Sequence, residues 1–195
     1  VLWMRGRYGK SVDENYQNDW RSRKELAGGG ILLDQGIHML DLLMMFGGGF
    51  NEVKSYCSNL YWDYDTEDNV FAMLKNDEGV VASLHSTMTQ WRHLFSLEMF
   101  LERGYIVING LLTSSGTYTV EDGKEVLTIA KKRTKPPQAK HPEEERYCFS
   151  IDNSWKREIE EFIECIEHGK KVQIGNTTDA LELMKLIEKI YDDGK

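Results

Sequence analysis

The sequence predicts an α+β domain: a large, mostly antiparallel sheet with its helices on one face. Three observations predict it. From 52 to 131, short segments rich in Val, Tyr, Phe, Thr and Leu are parted by turn signals such as Asn76-Asp77-Glu78-Gly79 and Glu121-Asp122-Gly123. Segments 30–46, 154–168 and 178–192 instead show helical periodicity. The 195 residues, 41% hydrophobic and 29% charged, suit a single domain, 1–195, with a real core.

In chain order, residues 1–8 read as a strand that ends at Gly9. Residues 10–27 are polar and irregular and contain Trp20 and Arg21. The helix over 30–46 is stopped by Gly47-Gly48-Gly49. Strands are expected over 52–62, 69–75, 79–89, 94–102, 104–109, 115–120 and 124–131. Short turns between consecutive strands imply antiparallel pairing. Residues 131–146 hold all three prolines and alternating charge blocks, which predicts an exposed loop. In 154–168, Trp155, Ile159, Phe162, Ile163 and Ile166 form one stripe, with Glu158, Glu160, Glu161 and Glu164 mostly opposite. In 178–192 the stripe is Leu181, Met184, Ile187, Ile190 and Tyr191, behind a Thr177/Thr178 cap. Tyr56, Leu60, Trp62, Phe71 and Met73 supply more apolar surface than three helices cover. The second sheet face is therefore expected to be open and to join copies of the chain into a homo-oligomer.

A formal charge of −8 is the reverse of what a nucleic-acid binder carries. Cys57, Cys148 and Cys165 are odd in number and form no CxxC pair, which argues against a disulfide framework and a structural zinc site. No unbroken apolar run reaches the ~20 residues that span a bilayer, and no signal-peptide pattern opens the chain. The expected setting is a reducing cytoplasm without membrane contact. The first residue is Val1, already strand-like, so the chain is expected to be an excised domain with a partner upstream.

The stretch that carries chemistry is AGGGILLDQGIHMLDLL, residues 27–43. A dinucleotide-binding turn needs G-x-G-x-x-G between a strand and a helix. Gly28-Gly29-Gly30 follows polar loop sequence and Gly47-Gly48-Gly49 follows a helix, so neither triplet predicts a phosphate cradle. The first is expected to permit a close backbone approach. Asp34 and His38 are four apart and share a helical face, and Asp41 continues the stripe. A carboxylate on an otherwise aliphatic helix is costly unless it is paired or faces a wet cleft. An Asp beside a His suits a proton acceptor with its orienting partner. The same spacing also fits a purely structural network, His38 bonded to Asp34, or a metal site of two carboxylates and one imidazole.

The run GGGILLDQGIHMLD, residues 28–41, resembles the C-terminal domain of the Gfo/Idh/MocA oxidoreductases, the glucose–fructose oxidoreductase and inositol dehydrogenase family. The likeness extends along the chain. RGRYG at 5–9 looks like the strand that leaves the family's Rossmann domain. Trp20-Arg21 precedes the glycines, and DALELMKLIEKIY at 179–191 looks like a closing helix. The resemblance implies a glyceraldehyde-3-phosphate-dehydrogenase-like C-terminal domain, with the Rossmann domain absent from this chain. It implies NAD or NADP bound mainly by that other domain, and a sugar, polyol or nucleotide-sugar whose secondary alcohol is oxidised or reduced. His38 matches the family's catalytic histidine, and Asp34 the aspartate that bonds and positions the substrate. The family's Glu-Lys-Pro motif has no match here, so the isolated chain is expected to be inactive. Arg7, Tyr8, Arg21 and Trp91 are further substrate-contact candidates, because sugar hydroxyls and phosphates favour guanidinium and flat aromatic partners. Each has a structural alternative: an ion pair for Arg7, the core for Tyr8, the sheet end for Trp91. Two other functions fit the same residues, a non-catalytic assembly module and a metal-dependent enzyme using Asp34, His38 and Asp41.

Overall fold

The computed structural model describes residues 1–113, 116–117, 123–131 and 143–195. The strands are β1 (Trp3–Ser11), β2 (Glu52–Ser58), β3 (Asn69–Lys75), β4 (Val81–Thr87), β5 (Thr89–Leu101), β6 (Gly104–Asn109), the short β7 (Leu112–Thr113) and β8 (Gly116–Thr117), β9 (Glu125–Lys131) and β10 (Glu144–Phe149). The α-helices are α1 (Lys24–Ala27), α2 (Ile37–Gly47), α3 (Ser154–His168) and α4 (Thr177–Asp193). A π-helical turn, Leu32–Gly36, leads directly into α2.

Eight strands form one sheet in the order β10-β9-β6-β5-β1-β4-β3-β2. β1 runs parallel to β4, and every other neighbouring pair in that sheet is antiparallel. The first strand is thus inserted at the centre, between strands that follow it by some seventy residues. Local hairpin chemistry cannot foretell such an insertion, which long-range burial decides.

Alternation sorts the two faces. Met4 and Tyr8 of β1, Val70, Ala72 and Leu74 of β3, Ala82 and Leu84 of β4, and Phe95, Leu97 and Met99 of β5 are buried with Met39, Leu40 and Leu43 of α2 and Leu186, Ile187 and Ile190 of α4. Gly6 belongs to this face, where a Cβ would lie 2.5 Å from Met39 Sδ. The other face carries Arg5, Arg7, Tyr56, Phe71, Met73, His85 and Glu98, and among the described residues no helix lies over it. The expected sheet, its helix-covered face and its open face are all present.

Several expectations change in detail. β1 continues two residues past Gly9, to Ser11. β2 ends at Ser58, not 62, because the buried Asp68 carboxylate accepts the backbone N–H groups of Leu60, Tyr61 and Trp62 and bends the chain away. Trp62 consequently packs against the core, its Nε1 donating to Met88 O at 3.0 Å. The expected strand 115–120 lies largely outside the described residues, as does most of the expected loop 131–146. The end of that loop is strand β10, whose charged start reads as loop but suits a sheet edge. The cap of α4 is Asn176 in a reciprocal box with Asp179, and its buried side is Leu183, Leu186, Ile187 and Ile190, with Leu181 and Met184 exposed.

α3 departs most from expectation. The helix occupies 154–168 as read, yet Trp155, Ile159, Phe162, Ile163 and Ile166 are all exposed. Only two of the three expected helices, α2 and α4, therefore pack on the sheet among the described residues. By length and mean hydropathy alone the 24-residue stretch Lys24–Gly47 could cross a membrane, which amends the expectation from unbroken runs. Half of its most apolar window is buried inside the fold.

Candidate functional site

The turn carrying Asp34 is built by close backbone approach. Gly30 N donates to Glu67 Oε2 at 2.9 Å, Leu32 N to Glu67 Oε1 at 3.1 Å and Ile31 N to the Glu67 carbonyl at 3.0 Å. Tyr191 of α4 donates its hydroxyl to Glu67 Oε1 at 2.8 Å. Glu67 thereby satisfies N–H groups that a helix start leaves without intrahelical partners. Burial, then the Glu67 charge, raises the Tyr191 phenol well above its usual pKa, so it stays a donor. A Cβ on Gly30 would sit 2.1 Å from the Glu67 carbonyl oxygen, and one on Gly29 would sit 2.2 Å from the Tyr191 hydroxyl. The glycines serve packing. Gly47-Gly48-Gly49 ends α2, with Gly48 at φ +82°. In the first triplet the space beside Gly29 and Gly30 is taken by Tyr191 and Glu67, as the expected close backbone approach requires.

Lys10, at the far end of β1, forms an ion pair with Asp34 Oδ2. Arg21 Nε lies 4.0 Å from Asp34 Oδ1, stacks its guanidinium 4.5 Å from the Trp20 ring and reaches Asp19 at 3.3 Å. Lys10 Nζ stands 4.6 Å from the centre of the Tyr16 ring and 3.5 Å from its hydroxyl. Burial first, then Asp34, raises the Tyr16 phenol far above its ordinary pKa. The Arg21 backbone N–H is the leading cause that lowers the Asp19 carboxyl. Opposite Lys10 the β1–β5 register slips: Gly9 pairs with Leu94 and Ser11 with Thr89, leaving 90–93 as a bulge. His93 of that bulge accepts the Ser11 N–H on Nδ1 at 3.1 Å. Its pKa is lowered, by burial and then by Lys10.

His38 is exposed, on the first turn of α2. Its ring centroid lies 6.3 Å from that of Tyr8, tilted by 50°, and the buried Tyr8 meets Phe95 edge-on at 5.2 Å. Among the described residues no hydrogen bond joins Asp34 to His38. The structural network of the sequence reading is thus replaced: lysine and arginine hold the carboxylate, and the imidazole is open to solvent. Trp20, Arg21, Gly30, Leu33 and Asp34 border a recess of 200 Å³ at this point.

The structure thus brings together Asp34 with Arg21 and, separately, His38 with Tyr8, the two pairs linked by the four-residue spacing of Asp34 and His38 along the helical stretch. Trp91 lies in the bulge opposite Lys10, 92% exposed. Arg7 is not brought to the site. Alternation turns it to the open sheet face, beside His85 and Ser96. Asp41 is also apart, in a separate groove with Met45, Asp179 and Lys185. The described residues contain no group of three or more His, Cys, Asp or Glu side chains placed to share a metal ion, and Asp34, His38 and Asp41 do not converge. Sequence reading missed Lys10, Tyr16 and Glu67. Lys10 continues the Met4, Gly6, Tyr8 alternation by one step, so extending β1 past Gly9 would have found it.

A profile of the GFO/IDH/MocA C-terminal domain matches residues 1–107. The D-glucoside 3-dehydrogenase of Escherichia coli (strain K12) is 24% identical over 194 residues, covering 89% of this chain and 49% of its own length. Levoglucosan dehydrogenase in complex with NADH and levoglucosan superposes with a TM-score of 0.80 at 22% identity, over 100% of this chain and 56% of that one. The WlbA dehydrogenase from Bordetella pertussis in complex with NADH and UDP-GlcNAcA gives 0.71 at 18% identity, over 100% and 52%. The chain thus spans about half the length of these relatives. With the match over its first 107 residues and the shared fold over its whole length, this chain belongs to the GFO/IDH/MocA C-terminal domain family.

Proposed function

We propose that this chain is the substrate and assembly domain of an NAD(P)-dependent oxidoreductase acting on a secondary alcohol of a sugar, polyol or nucleotide-sugar. The observation that carries it is the solvent-open imidazole of His38, one helical turn from a carboxylate already held in place. His38 accepts the proton of the substrate hydroxyl. Asp34 accepts a hydrogen bond from a neighbouring hydroxyl and fixes the sugar's orientation. Tyr8 backs the imidazole from the sheet, and Arg21 with Trp91 offers donor and ring surface at the rim. A nicotinamide held by a separate nucleotide-binding domain would supply the hydride acceptor or donor. Without that domain the chain is inactive. Names of relatives support the substrate class: a glucoside, levoglucosan and a UDP-sugar.

Two bare apolar surfaces support the assembly role, the open sheet face around Tyr56 and Phe71 and the stripe of α3. A further domain and a second copy of the chain would cover such surfaces. The test is His38→Asn in the protein that joins this chain to its nucleotide-binding domain. Turnover of a glucoside with NAD or NADP is expected to fall by at least ~10²-fold with folding intact. Light scattering on the unaltered protein is expected to give a dimer or tetramer. Wild-type rates in the variant would remove His38 from the chemistry, and a monomer would leave the open face without the proposed partner.

A further inference from the structure

Lys10 has no task in the function proposed above, yet it is the partner of Asp34. Its side chain is 13% exposed, against 20% for Asp34 and 42% for Arg21. It is the least exposed of the three charged side chains. Taking an ammonium out of water is costly unless it is paired, and this one is held from several sides. The backbone of β1 places it opposite the 90–93 bulge, the Tyr16 ring faces it at 4.6 Å, and the neighbouring Ser11 N–H is tied to His93. Asp19 and His93 complete its charged and titratable surroundings.

The two oxygens of Asp34 are held unequally. Oδ2 is taken by Lys10. Oδ1 is 4.0 Å from Arg21 Nε, too far for a hydrogen bond, and so keeps its acceptor capacity. We propose that Lys10 is a positioning residue: it pins Oδ2 so that Oδ1 accepts a substrate hydroxyl beside His38. The proposal rests on the function assigned to Asp34 and His38 above. A carboxylate released from that tether would sample other rotamers, and misorientation by about 1 Å costs rate more than affinity.

The experiment uses the protein that joins this chain to its nucleotide-binding domain, with methyl β-glucopyranoside and levoglucosan as probes and NAD or NADP supplied. Lys10→Met is expected to lower kcat by ~10-fold or more while KM moves less than ~3-fold. Lys10→Arg, which restores the cation, is expected to recover most of that loss. In an Asp34→Asn background, Lys10→Met is expected to change kcat by less than ~2-fold, because the effect of the lysine passes through the carboxylate. Calorimetric titration with levoglucosan gives a readout without turnover: the double variant is expected to bind no more weakly than Asp34→Asn alone. Thermal melts identify any variant that fails to fold, and the Arg variant then decides the matter. A wild-type kcat in Lys10→Met, or penalties at Lys10 and Asp34 that multiply, overturns the positioning role while leaving the function of the site standing. Absence of turnover and binding by the wild-type protein with every probe removes the function itself, and the role of Lys10 with it.

Discussion

At Gly30 the identity of one residue decides whether the site helix can start where it does. The carbonyl of Glu67 occupies the space a Cβ would need, 2.1 Å away, and both are backbone-anchored. Gly30→Ala must therefore shift the 65–68 segment or the turn carrying Asp34. A loss of about 1–3 kcal/mol in urea unfolding is expected, the usual range for overpacking. Unchanged stability would show that the turn relaxes freely and that Glu67 is a weak anchor. The glycine triplet was legible as a site of close approach, since it lacks the strand context of a phosphate-binding turn. That the approaching atom belongs to Glu67, thirty-seven residues on, was not legible, because no local pattern links the two. Lys10 was missed for a different reason: a terminal glycine was read as the strand's end, and the alternation through it was not followed.

At the scale of elements, the closing helices α3 and α4 look alike in sequence and fare differently. Both alternate an apolar stripe with acids at helical spacing. The stripe of α4 presses Leu186, Ile187 and Ile190 into the core, whereas every residue of α3 is exposed or half-exposed. Ile190→Ala in this chain is expected to cost about 2–5 kcal/mol, the range for a fully buried aliphatic. Phe162→Ser is expected to stay within about 0.5 kcal/mol, as for an exposed position. Guanidinium titration of the two variants checks both, and a large penalty at Phe162 would mean that α3 packs somewhere within the chain. Periodicity reports that a helix has a side to bury, not what it is buried against.

For the whole molecule, the open sheet face couples stability to pH. His85 stacks on Phe71 with ring centroids 3.9 Å apart, and its pKa is lowered by burial first and by Arg7 second. Below the ordinary histidine value of about 6.5 the unfolded chain takes up a proton that the folded chain resists. The contribution is therefore fully present above that pH and is lost as pH falls through the lower folded-state value. His93 acts with the same sign. Urea midpoints are expected to drop between about pH 7 and pH 5, and His85→Gln is expected to flatten that drop. A slope identical in the variant would place the acid sensitivity elsewhere. Exposed carboxyls with lowered pKa, such as Asp152 and Asp193, act only at lower pH.

The sequence by itself determined the fold class, most strand and helix positions and the placing of Asp34 and His38 four residues apart on one helical stretch. Those features follow from period, turn residues and spacing, all local. Only the tertiary structure decided that β1 enters the centre of the sheet, that Arg7 faces away from the site, that Lys10 rather than His38 holds Asp34, and that α3 stays bare. Each of these turns on which distant surface or charge arrives next to a residue, and burial across the whole chain settles that.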